Sequence, residues 1–259
     1  MDVMSSKHHS MCLLFIDFCQ EMNYIYCFNA LMIAQNVKNI RQRIASACAR
    51  VGRKPEEVTL VAVTKTFKSE VLREVVEAGV FDIGENYVQE LLDKRQALAD
   101  QKIRWHFIGH LQTNKVKYVA DWIHMVHSVD SLSLGKEISK RAEQAGRKIP
   151  VLVEVNTTAE KTKFGVMPEA ILPLVKDLSV CSNISIAGLM TIGPFLPDAE
   201  GSRPSFRMLR EIKERVQQDG FPMRHLSMGM TNDFEVAIEE NATLVRIGTA
   251  IFGKRMKQQ

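Results

Sequence analysis

The sequence predicts a single-domain (β/α)8 TIM barrel preceded by one extra N-terminal helix. Eight short runs rich in Val, Ile, Leu and Thr, with helical segments between them, follow one another from Val58 to Ile247. Such alternation implies parallel strands joined by helical crossovers. Small, polar and cationic residues gather at the C-terminal ends of those runs, the rim on which a barrel builds its site. A doubly wound open sheet is the alternative architecture. However, no G-x-G-x-x-G follows the first run and no G-x-x-x-x-G-K-[ST] occurs anywhere, so dinucleotide and P-loop readings lack their anchors.

The leading helix is expected over Ala34–Val51. There Val37, Ile40, Ile44, Ala47 and Cys48 recur at helical spacing among Lys38, Arg41, Arg43 and Arg50, and Gly52 and Pro55 end the pattern. The first strand is Val58–Thr64, followed by a helix over Ser69–Ala78 that stops at Gly79. Phe81–Ile83 is the second strand and Tyr87–Leu98 its helix; Ile103–Ile108 and Thr113–Val119 form the third pair. The fourth pair is Ile123–Val126 and Ser131–Ala145, ended by Gly146. The fifth is Pro150–Val155 with Pro168–Leu178, whose leading proline suits a first helical turn because its missing N–H costs nothing there. Ile184–Met190 precedes a helix over Phe206–Gln218 that ends at Gly220. Arg224–Ser227 precedes a short helix near Asp233–Glu239, and Thr243–Ile247 is the eighth strand.

At 259 residues the chain could hold one large domain or two small ones. No linker, low-complexity stretch or repeat beyond the βα unit divides it, so one domain over residues 32–259 is expected. The net charge of +4 is spread along the chain without a Lys/Arg block, which argues against a nucleic-acid surface and suits a small anionic ligand. The five cysteines, Cys12, Cys19, Cys27, Cys48 and Cys181, form no C-x-x-C pair, so neither a disulfide framework nor a zinc site is indicated and a reducing cytoplasm is the simpler expectation. Residues 1–31 look foreign to the rest. They hold Cys12, Cys19 and Cys27 with Phe15, Phe18, Tyr24, Tyr26 and Phe28, yet Asp17, Gln20, Glu21 and Asn23 break the segment too often for a membrane span. A signal peptide is not indicated either. The expectation is a natural start at Met32, with 1–31 an atypical extension that is either a mis-called start or disordered.

Lys65 closes the first apolar run. A free lysine amine, with a pKa of about 10.4, becomes a nucleophile only when desolvated or set near positive charge. A strand end inside a cleft supplies both conditions, and its natural product is a Schiff base; a solvated cap is the plainer alternative. The same rim would carry Gly84-Glu85-Asn86, Gly109-His110, Asn156, Met190-Thr191, Ser227-Met228-Gly229 and Arg246-Ile247-Gly248-Thr249. The groups Ser227-Met228-Gly229 and Gly248-Thr249 each pair a hydroxyl with a glycine that lets backbone N–H groups approach an anion. Barrels frequently bind phosphate after strands seven and eight. Arg246, if inward, needs a partner: a carboxylate, a phosphate, a ring nitrogen, or a purely structural ion pair. The histidines give no metal signature. His106 and His110 are separated by the break at Gly109, His124 and His127 lack an obvious third ligand, and His225 and the pair His8-His9 read as structural or solvated. No G-x-S-x-G elbow supports a serine hydrolase.

Several long motifs follow in order: Val61-Ala62-Val63-Thr64-Lys65, Gly84-Glu85-Asn86-Tyr87-Val88-Gln89-Glu90, Trp105-His106-Phe107-Ile108-Gly109-His110-Leu111-Gln112, Gly188-Leu189-Met190-Thr191-Ile192-Gly193, Ser227-Met228-Gly229-Met230-Thr231-Asn232-Asp233-Phe234 and Val245-Arg246-Ile247-Gly248-Thr249-Ala250-Ile251-Phe252-Gly253. Over about Ala34 to Arg255 the chain resembles the pyridoxal phosphate homeostasis protein family. That resemblance implies a barrel of the alanine-racemase N-terminal type with pyridoxal 5′-phosphate (PLP) as a Schiff base on Lys65. It implies that Ser227, Gly248 and Thr249 hold the phosphate, that Arg246 faces the pyridine nitrogen, and that Asn86, Met190 and Met228 line the cofactor. Lys163, in Thr162-Lys163-Phe164-Gly165, matches a lysine linked to cofactor transfer; a solvated loop lysine is the other reading.

An arginine at the ring nitrogen keeps it unprotonated and weakens the electron sink that many PLP enzymes maintain with a carboxylate. Racemases of this fold add a C-terminal β domain, for which the sequence after Ile247 leaves no room. The expectation is therefore vitamin B6 homeostasis without robust catalysis: a cytoplasmic monomer that buffers PLP and delivers it to apo-forms of PLP-dependent enzymes, with no metal, membrane or nucleic acid. A PLP-dependent amino-acid racemase of low activity is the alternative, and a Schiff-base aldolase on a sugar phosphate lies further off.

Overall fold

The computed structural model describes residues 31–253 except 159, 161 and 162. The expected extension over 1–31 therefore lies, apart from Leu31, outside the described residues. The strands β1 (Thr59–Val63), β2 (Asp82–Glu85), β3 (Arg104–Phe107), β4 (Met125–Val129), β5 (Ile149–Glu154), β6 (Ile184–Met190), β7 (His225–Ser227) and β8 (Leu244–Ile247) pair in sequence order. β8 returns to β1 in parallel, so the sheet closes as an eight-stranded barrel. Closure removes every edge strand.

Side chains alternate across each strand. One set points into the barrel, where Val61, Met125, Leu152, Met190 and Leu244 form a small inner cluster. The other set meets the helices in a larger outer core that includes Ala62, Ile83, Phe107, Val153, Leu189 and Leu226. That outer layer comprises α1 (31–50), then α2 (Ser69–Glu77), α3 (Val88–Ala97), α4 (Leu132–Gln144), α5 (Ile171–Ser179), α6 (Arg203–Gln218), α7 (Phe234–Glu239) and α8 (Thr249–Phe252). The extra helix α1 buries Ile33, Val37, Ile40, Ile44, Ala47 and Cys48. Arg41 donates to the Ala78 and Gly79 carbonyls at the end of α2, and Asn36 donates to the Ile251 carbonyl of α8 at 2.9 Å. α1 thus ties the first helix of the barrel to the last.

The expected helix over Thr113–Val119 is instead a 3-10 run, Thr113–Tyr118. Val116 and Val119 are both buried, and a three-residue separation brings them onto one face in 3-10 geometry. β4 runs three residues past the expected end at Val126 because its polar residues find partners: Ser128 donates to the Gly109 carbonyl, and His127 bonds to His106 and Ser227. α8 was not anticipated. Among the described residues no helix is long and apolar enough to cross a membrane.

Candidate functional site

At the C-terminal ends of the strands a cavity of about 480 Å³ opens, walled by Val63 at the end of β1, Lys65 and Phe67 after it, Asn86 after β2 and Ile108 after β3. The loop after β6 contributes Ile192 and Pro194 to Leu196, the loop after β7 Met230 to Asp233, and β8 with its continuation Arg246, Gly248 and Thr249. That volume lies within the roughly 300–1,000 Å³ of small-molecule sites.

The backbone on either side of Lys65 is clamped. Buried Lys94 donates to the Thr64 carbonyl at 2.7 Å and to Glu85 Oε1 at 2.6 Å, and the Thr64 hydroxyl also donates to Glu85. On the other side the Thr66 N–H donates to Glu90 Oε2 at 2.8 Å, with Thr66 in the left-handed region at φ 69°. A β-branched residue there is strained, so the chain leaves β1 by a fixed path that delivers Lys65 half-buried to the cavity wall.

Arg246 is buried on the neighbouring strand β8, level with Val61 of β1, where Nη1 donates to Ser227 Oγ at 2.6 Å and Nη2 to the Thr191 carbonyl at 2.8 Å. Among the described residues it makes no ion pair, so the purely structural salt bridge considered from sequence is absent. Burial draws its pKa down to about 10, with Glu154 pulling it back up, and it stays cationic at neutral pH. Glu154 lies on β5 two residues beyond the inward Leu152, inside the barrel. Burial pushes its carboxyl up to about 7 against the opposing charge of Arg246.

The structure brings Lys65, Asn86, Arg246, Gly248 and Thr249 onto one cavity wall and leaves three sequence-named residues off it. Met190 belongs to the inner cluster one layer below, where Ile192 takes the rim position. Met228 follows Ser227 and so points the opposite way, into the outer core. Ser227 is fully buried under Arg246, bonded to it and to His127. The hydroxyl that does reach the wall after β7 is Thr231, which accepts from the Ala250 N–H at 3.3 Å and so joins the β7 and β8 loops. Thr231 stands in the motif read from sequence, but which of its hydroxyls faces the cavity depends on where β7 ends. Gly229, at φ 89°, turns that loop, and a Cβ there would meet Ala237 Cβ at 2.6 Å.

Lys163 bridges two rim loops, its Nζ 2.8 Å from Glu160 Oε1 and 3.3 Å from the Gly193 carbonyl. Asp82, His106 and His124 bring ligand atoms within 4.8 Å of one another. Asp82, however, is held by Arg104 through both carboxylate oxygens and accepts from His106 at 3.0 Å, while His124 makes only an edge contact with the His106 ring.

A family model described as alanine racemase, N-terminal domain, matches residues 33–256. The pyridoxal phosphate homeostasis protein of Aquifex aeolicus (strain VF5) is 46% identical over 222 residues, spanning 85% of this chain and 97% of that one. A solved structure of an unknown protein from Bifidobacterium adolescentis superposes with a TM-score of 0.82 at 37% identity, covering 86% of this chain and 96% of that one. PipY of Synechococcus elongatus PCC7942, solved with PLP bound, gives a TM-score of 0.75 at 31% identity over 85% and 100% of the two chains.

Proposed function

Because the chain belongs to the pyridoxal phosphate homeostasis protein family, we propose that it binds pyridoxal 5′-phosphate in the Lys65 cavity and serves to buffer and deliver it. The observation that carries this reading is Asn86. Its side-chain Oδ1 is buried at the cavity wall with no hydrogen-bond partner among the described residues, and an orphaned acceptor costs about 1–3 kcal/mol unless a ligand donor meets it. A phenolic hydroxyl is such a donor. The rest of the wall fits as well: an amine at Lys65, a guanidinium at Arg246, and the hydroxyl residues Thr231 and Thr249 with Gly248, a set suited to a phosphate monoester.

When bound, the cofactor supplies an aldehyde that condenses with an amine and a heteroaromatic ring that accepts electron density. The chain's residues do the holding. Lys65 supplies the amine, its backbone fixed by Lys94 and Glu90. Arg246 only donates hydrogen bonds, so a ring nitrogen it contacts stays unprotonated and the ring is a poor sink for a carbanion. This favours carriage over turnover. Lys163, between the two rim loops, is suited to guiding release to apo-enzymes. The unpaired, buried thiols of Cys48 and Cys181 suit a reducing cytoplasm.

The test is an absorbance spectrum of purified protein incubated with PLP. A new near-visible band that borohydride abolishes, with the reduced mass mapped to Lys65 and no band in Lys65→Ala, supports the reading. A native protein without the band refutes it.

A further inference from the structure

A file of buried polar side chains crosses the barrel interior beneath the cavity. It starts at Arg246 Nη1, which lies 2.6 Å from Ser227 Oγ. Ser227 Oγ lies 2.9 Å from His127 Nδ1, His127 Nε2 lies 2.9 Å from His106 Nδ1, and His106 Nε2 lies 3.0 Å from Asp82 Oδ1. Asp82 in turn is gripped by Arg104. His106, His127 and Ser227 are each at most 1% exposed, so no water replaces a lost partner cheaply.

The two ends dictate the direction. Arginine can only donate, and an ionised carboxylate can only accept. Burial would raise the Asp82 pKa, but hydrogen bonds from His106 and Arg104 bring it down to about 2, so it is ionised at neutral pH. Ser227 accepts from Arg246, which leaves its own proton to His127 Nδ1. His127 must then carry its proton on Nε2 and give it to His106 Nδ1. His106 must carry its proton on Nε2 and give it to Asp82. Reversing the file would set a bare His106 nitrogen against a carboxylate, or make His106 cationic and strand the Ser227 proton. His127 is in keeping with the neutral form: its complete burial, with the guanidinium charge of Arg246 nearby, holds its pKa well below the usual histidine value.

We infer that Asp82, His106, His127 and Ser227 form a one-way hydrogen-bond file that fixes the Arg246 guanidinium in place, making the two histidines positioning residues for the ligand that Arg246 meets. The inferred proton positions stand on the protein alone; the positioning role rests on the PLP reading above.

Nitrogen-15 NMR of histidine-labelled, ligand-free protein near neutral pH reads the first part, with His106→Asn and His127→Asn used to assign signals. Both histidines are expected neutral with the proton on Nε2; an Nδ1 proton on either, or a cationic His106, overturns the file. PLP titration reads the second. His127→Phe is expected to raise the dissociation constant about tenfold, the loss expected for about one hydrogen bond, while borohydride still labels Lys65. His127→Gln, whose amide can accept from Ser227 and donate to His106, is expected to restore most of the affinity. Unchanged affinity in His127→Phe, or no rescue by His127→Gln when both variants melt cooperatively, overturns the positioning role. Should the native protein show no PLP band, the cofactor reading and the positioning role fail while the proton positions remain decided by the NMR result.

Discussion

Glu154 and Asp82 are buried carboxyls within one barrel, with opposite dependence on pH. Glu154 has its pKa raised from 4.5 to about 7, so between those values the folded chain binds more protons than the unfolded one and stability falls as pH rises. Asp82 has its pKa lowered from 3.8 to about 2; its contribution is present above about pH 4 and is lost as pH falls through about 2. Urea denaturation at pH 5 and pH 8 separates the two groups. Between pH 5 and pH 8 Glu154→Gln should gain stability relative to the native chain, by up to about 3 kcal/mol. Parallel native and variant profiles would show that Glu154 does not titrate in that range. The inward placement of both residues comes from strand parity, which a single residue cannot reveal.

The β1 to α3 segment shows how an element positions one side chain. Lys94 pairs with Glu85, which is fully buried, and holds the backbone before Lys65. Burial raises the Glu85 pKa while the Lys94 and Thr64 hydrogen bonds oppose that rise. Lys94→Met should therefore destabilise by about 3–5 kcal/mol, since it leaves a buried acid unpaired. Adding Glu85→Gln should recover much of that loss, measured as a denaturation midpoint; a single variant as stable as the native chain would mean that the pair contributes nothing. Strand order, helix order and most element positions were legible because the apolar periodicity that marks them is local. β4 was cut short in the sequence reading because His127 and Ser128 look like a strand end until His106, Ser227 and Gly109 are brought beside them.

At the scale of the molecule, barrel closure and α1 make the fold one cooperative unit. β8 pairs with β1 over four residues, and α1 bridges α2 and α8. Ile40, 2% exposed at the middle of α1, should cost about 2–5 kcal/mol when cut to alanine, with a single unfolding transition retained. A separate early transition in Ile40→Ala would show that α1 docks independently of the barrel.

The linear chain was enough to specify an eight-fold strand-helix alternation, a lysine at the end of the first strand, and the glycine, threonine and arginine of the last, because each is written in spacing of a few residues. It also carried the motifs of the family. It could not say which members of those motifs share a wall. Met190, Ser227 and Met228 stand beside true wall residues in sequence, yet strand parity and the height of each strand end send them to the inner cluster, beneath Arg246 and to the outer core. Thr231 reached the cavity and Ser227 became a link to His127 for the same reason. Those assignments depend on contacts up to 100 residues apart, which exist only once the barrel has closed.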